Sequence, residues 1–377
     1  MRIGFEAKRA FHNFTGLGNY SRQVIQDLNE FYFDNDFFLY TTRIEKNENP
    51  LFRLFRDYPN SHLITPSGWK AKISEDLWRR SLGSLADKDK LDIFHGLSNE
   101  LPVGFKNTNC KKVVTIHDVI FKRYPAWYKK VDRKIYDRKT KQACDLADNI
   151  IAISNQTKQD LIEFYQVDES KIEVVYQACN PIFYDNENVP FRNEIISKYK
   201  LDKPFMLYVG SLTARKNVFE IIYAYEKIMS KTDHDLILIG NGKQKEAIEN
   251  YIFDSDLDQR IRLYNSFPTS DLPPMYQLAT LTLYPSTFEG FGIPIIESLW
   301  SKTPVITNSG SCFKETAGEG AIYLNQVNKD TLYNAMMQLL EDSHLQNELA
   351  SAGYEHVQQF ERKQCIQALW NVYQKIL

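Results

Sequence analysis

Short apolar runs alternate with helical patterns along this sequence, in two separate series, and this restricts the fold more than any other feature. A run of four to six aliphatic residues with no polar alternation reads as a strand buried on both faces, and a parallel sheet covered by helices is what buries both faces. In the first series residues 1–6, 37–41, 92–95, 112–116, 149–153 and 171–176 read as strands. A turn over residues 14–20 precedes a helix over about 21–30, where Val24, Ile25 and Leu28 share a face. Ser154 to Thr157 reads as a helix-capping turn. A less regular polar stretch follows, and a domain boundary is placed at 185/186. The second series has strands at 204–210, 235–240, 261–264, 281–284 and 304–307, with helices at 218–230, about 271–278 and 294–300. The expectation is an α/β chain of two doubly wound domains, 1–185 and 186–360, and 377 residues suffice for both cores. Ligands of such sheets bind beyond the carboxyl ends of the strands, so two facing domains would make a central cleft.

Charge and composition exclude several classes. A net charge of −2 provides no global cationic field for nucleic acid. No apolar stretch approaches the ~18 residues of a spanning helix, and the first residues lack a signal-peptide core. Five cysteines without a C-x-x-C pair read as free thiols in a reducing cytoplasm. The Asp-x-Asp sequences at 34–36, 87–89 and 254–256 lie in polar connections and read as solvated loops, so neither a metal nor another cofactor is expected. One local run stands apart. Residues 122–141 hold nine Lys and Arg against two Asp, with Phe121, Tyr124, Trp127, Tyr128 and Tyr136 interleaved. It suits an anionic membrane surface or a diphosphate-lipid, and equally a solvated helix face.

Four motifs fall where such sheets bind ligands. Gly16-Leu17-Gly18 follows the first strand and reads either as a backbone cradle for phosphate or as a tight turn. It is not a dinucleotide fingerprint, because Ser21 stands at the third glycine. Gly210 to Asn217 places Arg215 and Lys216 at a strand-to-helix loop, where a fork and a point charge can neutralise a diphosphate. In the stretch from Glu289 to Glu297, Gly290 and Gly292 free backbone amides at a helix start with Pro294 just inside. Glu289 and Glu297 are suited to accept from sugar hydroxyls. His117-Asp118 ends a buried strand, as a sugar contact, a proton-transfer group or a backbone-satisfied His. His95, similarly placed, reads as structural.

Together these residues resemble the retaining glycosyltransferase family 4, of GT-B fold. The run Ser286–Ser298 is similar to its E-x7-E signature, and Trp300–Ile306 to the stretch after it, with Lys302 where glycine is common. Gly210–Asn217 resembles its G-x-x-x-x-R-K-N loop, and Thr15–Tyr20 its first glycine loop. The resemblance implies two Rossmann-like domains and a last helix, 361–377, that packs back on the first, although Glu361-Arg362 replaces the usual aromatic. It implies that Arg215, Lys216, Ser211 and the Gly16 and Gly18 turn meet the donor diphosphate, and that Glu297 holds the ribose. Glu289 and the amides of Gly290, Phe291 and Gly292 would meet the transferred sugar. His117, with Asp118 beside it, would lie at the reacting centre. Phe267, Gly240 and Gly242 would line the base side.

The implied reaction moves a hexose from a nucleotide-sugar to a glycan or lipid-linked acceptor with retention, for surface polysaccharide or glycoconjugate assembly. GDP-mannose is the first expectation for the donor, and UDP-hexoses stay open. The competing readings are a sugar-nucleotide epimerase or hydrolase on the same fold and a non-catalytic glycan-assembly partner. A cytoplasmic site is expected, peripheral on the inner membrane if the 121–141 run meets it.

Overall fold

The computed structural model describes residues 1–42, 58–66, 75–184 and 189–377. The chain divides into one compact unit of Met1–Gln177 with Arg362–Leu377, and a second of Ala178–Glu361. The 185/186 position expected as a boundary lies outside the described residues.

The first unit is built on a seven-stranded sheet: β1 (Arg2–Glu6), β2 (Asp36–Tyr40), β3 (Ser61–Ile64), β4 (Ile93–Gly96), β5 (Lys111–Ile116), β6 (Asn149–Ala152) and β7 (Ile172–Val174). The order is β3-β2-β1-β4-β5-β6-β7, and every pairing is parallel. Sequence order reverses between β1 and β4, which opens a crevice at the carboxyl ends there. Ile3, Phe5, Phe37, Leu39, Ile93 and Val113 are buried on one face, and Phe38, Tyr40, Phe94, Val114 and Ile150 on the other. β3 escapes the sequence reading because all four of its residues are half-buried at an edge, so it lacks an apolar run.

After a short helix at Lys8–His12, the helix expected from Ser21 starts earlier, at Gly16, and runs to Phe31. The turn expected over residues 14–20 is therefore mostly helix. Thr15 is the extended residue before it, and its carbonyl accepts from the Gly18 and Asn19 amides, both at 3.0 Å. Gly18 is required by close approach, since a Cβ there would lie 1.8 Å from the Asn13 carbonyl oxygen. Gly16 has open space around it.

The last helix, Arg362–Ile376, belongs to this first unit. Trp370 stacks on Tyr32 with ring centroids 4.0 Å apart, and Arg362 bridges Asp27 and Glu30. The guanidinium takes up a buried carboxylate at the helix entry.

The second unit holds β8 (Phe205–Val209), β9 (Asp235–Ile239), β10 (Ile261–Tyr264), β11 (Leu281–Tyr284), β12 (Val305–Asn308) and β13 (Ala321–Leu324). The order is β10-β9-β8-β11-β12-β13, again parallel, with its reversal between β8 and β11. The helices Val218–Ile228 and Lys329–Glu341 bury Ile221, Ile222, Tyr225, Leu332 and Met336 with Met206, Leu236 and Leu283 of the sheet. Lys302 has a φ of +57°, a left-handed conformation that favours glycine.

Candidate functional site

In the second unit, the loops after β8 and β11 leave the sheet at its reversal and brace each other. Asn217, in the left-handed region at φ +54°, precedes the helix Val218–Ile228. Its Nδ2 donates to the Pro285 carbonyl at 2.8 Å and to Thr287 Oγ1 at 3.1 Å. The Thr287 amide in turn donates to the Arg215 carbonyl at 2.8 Å. The third letter of Arg-Lys-Asn is thus a strut between the loops, a role the sequence did not disclose.

Between these loops lies an ion cluster. Lys216, 5% exposed, donates to Glu289 Oε1 at 2.5 Å and to Tyr284 Oη at 2.5 Å. Arg215 donates to the same carboxylate oxygen and to the Phe288 carbonyl at 3.0 Å. Ser286 Oγ donates to Glu289 Oε1 at 2.5 Å. Burial alone would push the Glu289 carboxyl up, but Lys216 and Arg215 outweigh it and leave the group below its ordinary range. Burial lowers the Lys216 ammonium, with Glu289 opposing. The site therefore holds two cations neutralised in part by one internal anion.

The remaining expected residues surround this cluster in the same unit. Gly240 and Gly242 let the turn after β9 approach the 210–212 backbone: a Cβ on Gly240 would lie 1.8 Å from the Gly210 carbonyl oxygen, and one on Gly242 2.4 Å from that of Leu212. Ser211 is exposed, with its carbonyl accepting from Tyr208 Oη at 2.9 Å. Gly292, at φ +103°, precedes the helix Ile293–Trp300. Gly290 lies on the same loop, while Phe291 is buried with its ring edge against Phe360. Glu297 is partly exposed and accepts from Tyr276 Oη at 3.0 Å. Burial raises its carboxyl to about 7, with the Tyr276 bond opposing. Phe267 follows β10, its ring stacked on Tyr199 at 4.7 Å.

In the first unit His117 follows β5 and is 6% exposed. Its Nε2 donates to the Leu97 carbonyl at 2.9 Å, which leaves Nδ1 with the lone pair. Burial depresses the ring to about 4, so it is neutral at pH 7 and accepts at Nδ1. Tyr20, from the helix that begins at Gly16, meets the His117 ring edge-on at 4.6 Å. The helix start at Gly16–Gly18 and His117 thereby belong to one corner of the unit. Asn99 Oδ1 accepts from the His117 amide at 2.8 Å, and Asp118 Oδ1 from the Ile120 amide at 3.1 Å. His95 lies below, fully buried, with Nε2 2.8 Å from Thr115 Oγ1 and Nδ1 2.6 Å from Tyr373 Oη.

These two imidazoles give the first unit an acid limit. Burial lowers His95 to about 3 and His117 to about 4, whereas an unfolded His titrates near ~6.5. Unfolding therefore takes up protons as pH falls below 6.5. The stability supplied by the neutral rings is complete above that pH and is lost on the way down through about 4 and 3. The melting temperature is expected to drop over that window, and more shallowly in His95→Gln. Equal slopes in parent and variant would contradict this.

Comparison with known proteins places this geometry. The model described as glycosyl transferases group 1 matches residues 191–356, and that described as glycosyltransferase family 4 matches residues 14–181. The chain belongs to glycosyltransferase family 4. This glycosyltransferase is 25% identical over 303 residues to O-antigen chain mannosyltransferase B of Escherichia coli, across 78% of the chain and 77% of the relative. It is 28% identical over 204 residues to a Campylobacter jejuni enzyme named N-acetylgalactosamine-N,N'-diacetylbacillosaminyl-diphospho-undecaprenol 4-alpha-N-acetylgalactosaminyltransferase, across 53% of the chain and 52% of the relative. Its fold is that of Anabaena HepE, solved with UDP, at a TM-score of 0.77, 16% identity and 100% of both chains covered. The two Rossmann-like domains are those of the GT-B architecture.

Proposed function

We propose that this glycosyltransferase moves a hexose from a nucleotide-sugar to a glycan or lipid-linked glycan, in assembly of a surface polysaccharide. The observation that carries this is the Arg215–Lys216–Glu289 cluster at the β8/β11 reversal. Two cations set on braced loops can take up the charge that develops on a departing diphosphate, without reorganising and without a divalent cation. Glu297, once ionised, accepts from the ribose hydroxyls. In the second unit Glu289 meets the transferred sugar when the diphosphate draws Lys216 and Arg215 away from it, and in the first unit the neutral His117 offers Nδ1 to a sugar hydroxyl. The O-antigen mannosyltransferase relative supports mannose as the transferred sugar, and GDP-mannose is the donor in this reading.

Transfer proceeds with retention in this reading, by attack of the acceptor hydroxyl on the face that the diphosphate leaves, a route that needs no carboxylate nucleophile. The test incubates the chain with GDP-mannose, UDP-glucose and UDP-N-acetylgalactosamine and a prenyl-diphosphate-linked glycan. The anomeric coupling of the product is then read by NMR. An α-linked product from an α-linked donor supports retention, and a β-linked one overturns it. Hydrolysis or epimerisation with no acceptor dependence overturns transfer itself.

The first unit also offers a surface for the cytoplasmic membrane face. Trp127, Val131, Ile135 and Tyr136 are exposed beside the exposed Lys129, Lys130 and Lys134. Apolar side chains among cations suit an anionic interface, at about 1 kcal/mol per basic residue. Charge reversal at Lys129, Lys130, Arg133 and Lys134 is expected to reduce binding to anionic vesicles at least tenfold. Unchanged binding would remove the membrane from the account.

A further inference from the structure

The first unit contains a cavity of about 440 Å3 that the donor chemistry does not use. Its walls come from three segments: the end of the helix Glu75–Arg80, the chain leaving β4 at Glu100–Val103, and the middle of the helix Lys130–Leu146. Four cations line it, Arg79, Arg80, Arg138 and Lys139, against the single carboxylate of Glu100.

These cations divide into two kinds. Arg79 and Lys139 are committed to the wall. Arg79 Nε lies 2.8 Å from Glu6 Oε1 at the end of β1, and its Nη2 lies 2.8 Å from Glu100 Oε2. Lys139 Nζ lies 3.0 Å from Glu100 Oε1. Gln142 Nε2 donates to the Leu101 carbonyl at 3.1 Å and fixes the floor. Arg80 and Arg138, by contrast, are exposed on the lining and have no ion pair or hydrogen bond with any described residue. Two uncommitted guanidinium forks across one cavity, over a framework whose own charges are already paired, form a receptor for a polyanion with several acceptor oxygens.

The approach to this cavity is apolar. Val131, Ile135 and Arg138 follow one another at i, i+4 and i+7 on the same helix, so they share a face, and Val131 and Ile135 are both exposed. Val103 at the rim is 58% exposed. A ligand with a phosphoryl head and an apolar tail matches both parts.

We infer that this cavity binds the phosphoryl group, a phosphate or diphosphate ester, of an amphiphilic acceptor. The inference rests on the proposed transfer to a lipid-linked glycan and adds to it where the acceptor's charged head is held.

The test uses Arg80→Ala with Arg138→Ala in the full chain. Neither side chain is paired with a described residue, so the melting temperature is expected to stay within a degree or two of the parent. Farnesyl diphosphate is titrated by calorimetry in a Lys216→Ala background, which takes the donor site out of the measurement. Affinity is expected to fall at least tenfold on losing the two arginines. Nucleoside diphosphate binding, measured with Lys216 intact, is expected to be unchanged. A second arm uses phosphatidylglycerol vesicles free of diphosphate. A loss confined to farnesyl diphosphate assigns the cavity to the acceptor, and an equal loss on the vesicles assigns it to a lipid headgroup phosphate and overturns the acceptor role. Parental affinity for both probes overturns the site altogether. Failure of the transferase reading would show separately, as a parent chain that binds no nucleotide-sugar.

Discussion

Lys216→Ala is expected to lower transfer by ~10²–10³-fold, the cost typical of removing one preorganised donor to a developing anion. The loss should fall on kcat and on nucleoside diphosphate affinity together, because the ammonium meets a group present in both donor and product. The fold should survive. Glu289 keeps Arg215 and Ser286 as partners, so its carboxylate is not left unpaired. A destabilisation of about 1–3 kcal/mol is expected from the lost buried bonds. Steady-state kinetics with a melting curve on the same preparation check this. Parental turnover would remove Lys216 from the leaving-group site.

Glu289→Gln is expected to act in two opposite directions. The carboxylate now occupies both cations, and a diphosphate must compete with it. Without that charge a nucleoside diphosphate should bind at least tenfold more tightly near neutral pH. Transfer should nonetheless fall by ~10²-fold, through loss of the sugar contact and slower product release. Burial already lowers Lys216 and Glu289 opposes it, so the variant's ammonium titrates lower still. Diphosphate binding to the variant should then take up a proton and weaken as pH rises. Calorimetry in two buffers of different ionisation enthalpy measures that proton. Weaker diphosphate binding at every pH would contradict the internal-anion assignment.

Both doubly wound series were legible because each central strand is apolar on both faces, as in Leu236-Ile237-Leu238-Ile239 and Ile150-Ile151-Ala152. Of the edge strands, β7 and β10 were legible and β3 was not, because Ser61-His62-Leu63-Ile64 is half-buried throughout and carries no continuous apolar run; β13, Ala321–Leu324, is apolar but was not read. The helix start at Gly16 was hidden because two glycines argue for a turn, while the extended Thr15 and the close approach to Asn13 exist only in three dimensions. At the site, Arg215, Lys216, Glu289 and Glu297 could be named from motif spacing. What spacing cannot show is that three side chains converge on one oxygen of Glu289, because Arg215 and Glu289 are 74 positions apart. The His95–Tyr373 bond spans 278 positions, and the Arg80–Arg138 cavity unites elements with no shared motif. Asn217 was visible in the motif, but its function as a strut depends on a carbonyl at Pro285.

Under the proposed function the braced cations of the second unit receive a nucleotide-sugar diphosphate. The most direct measurement is thermal stabilisation of the parent and of Lys216→Ala by GDP-, UDP- and ADP-sugars, without added metal. One nucleotide class is expected to raise the melting temperature of the parent, at 100-fold its Kd by ~2.7 kcal/mol of stability, and to lose most of that effect in the variant. Stabilisation that requires a divalent cation, or that is equal in parent and variant, would contradict the account.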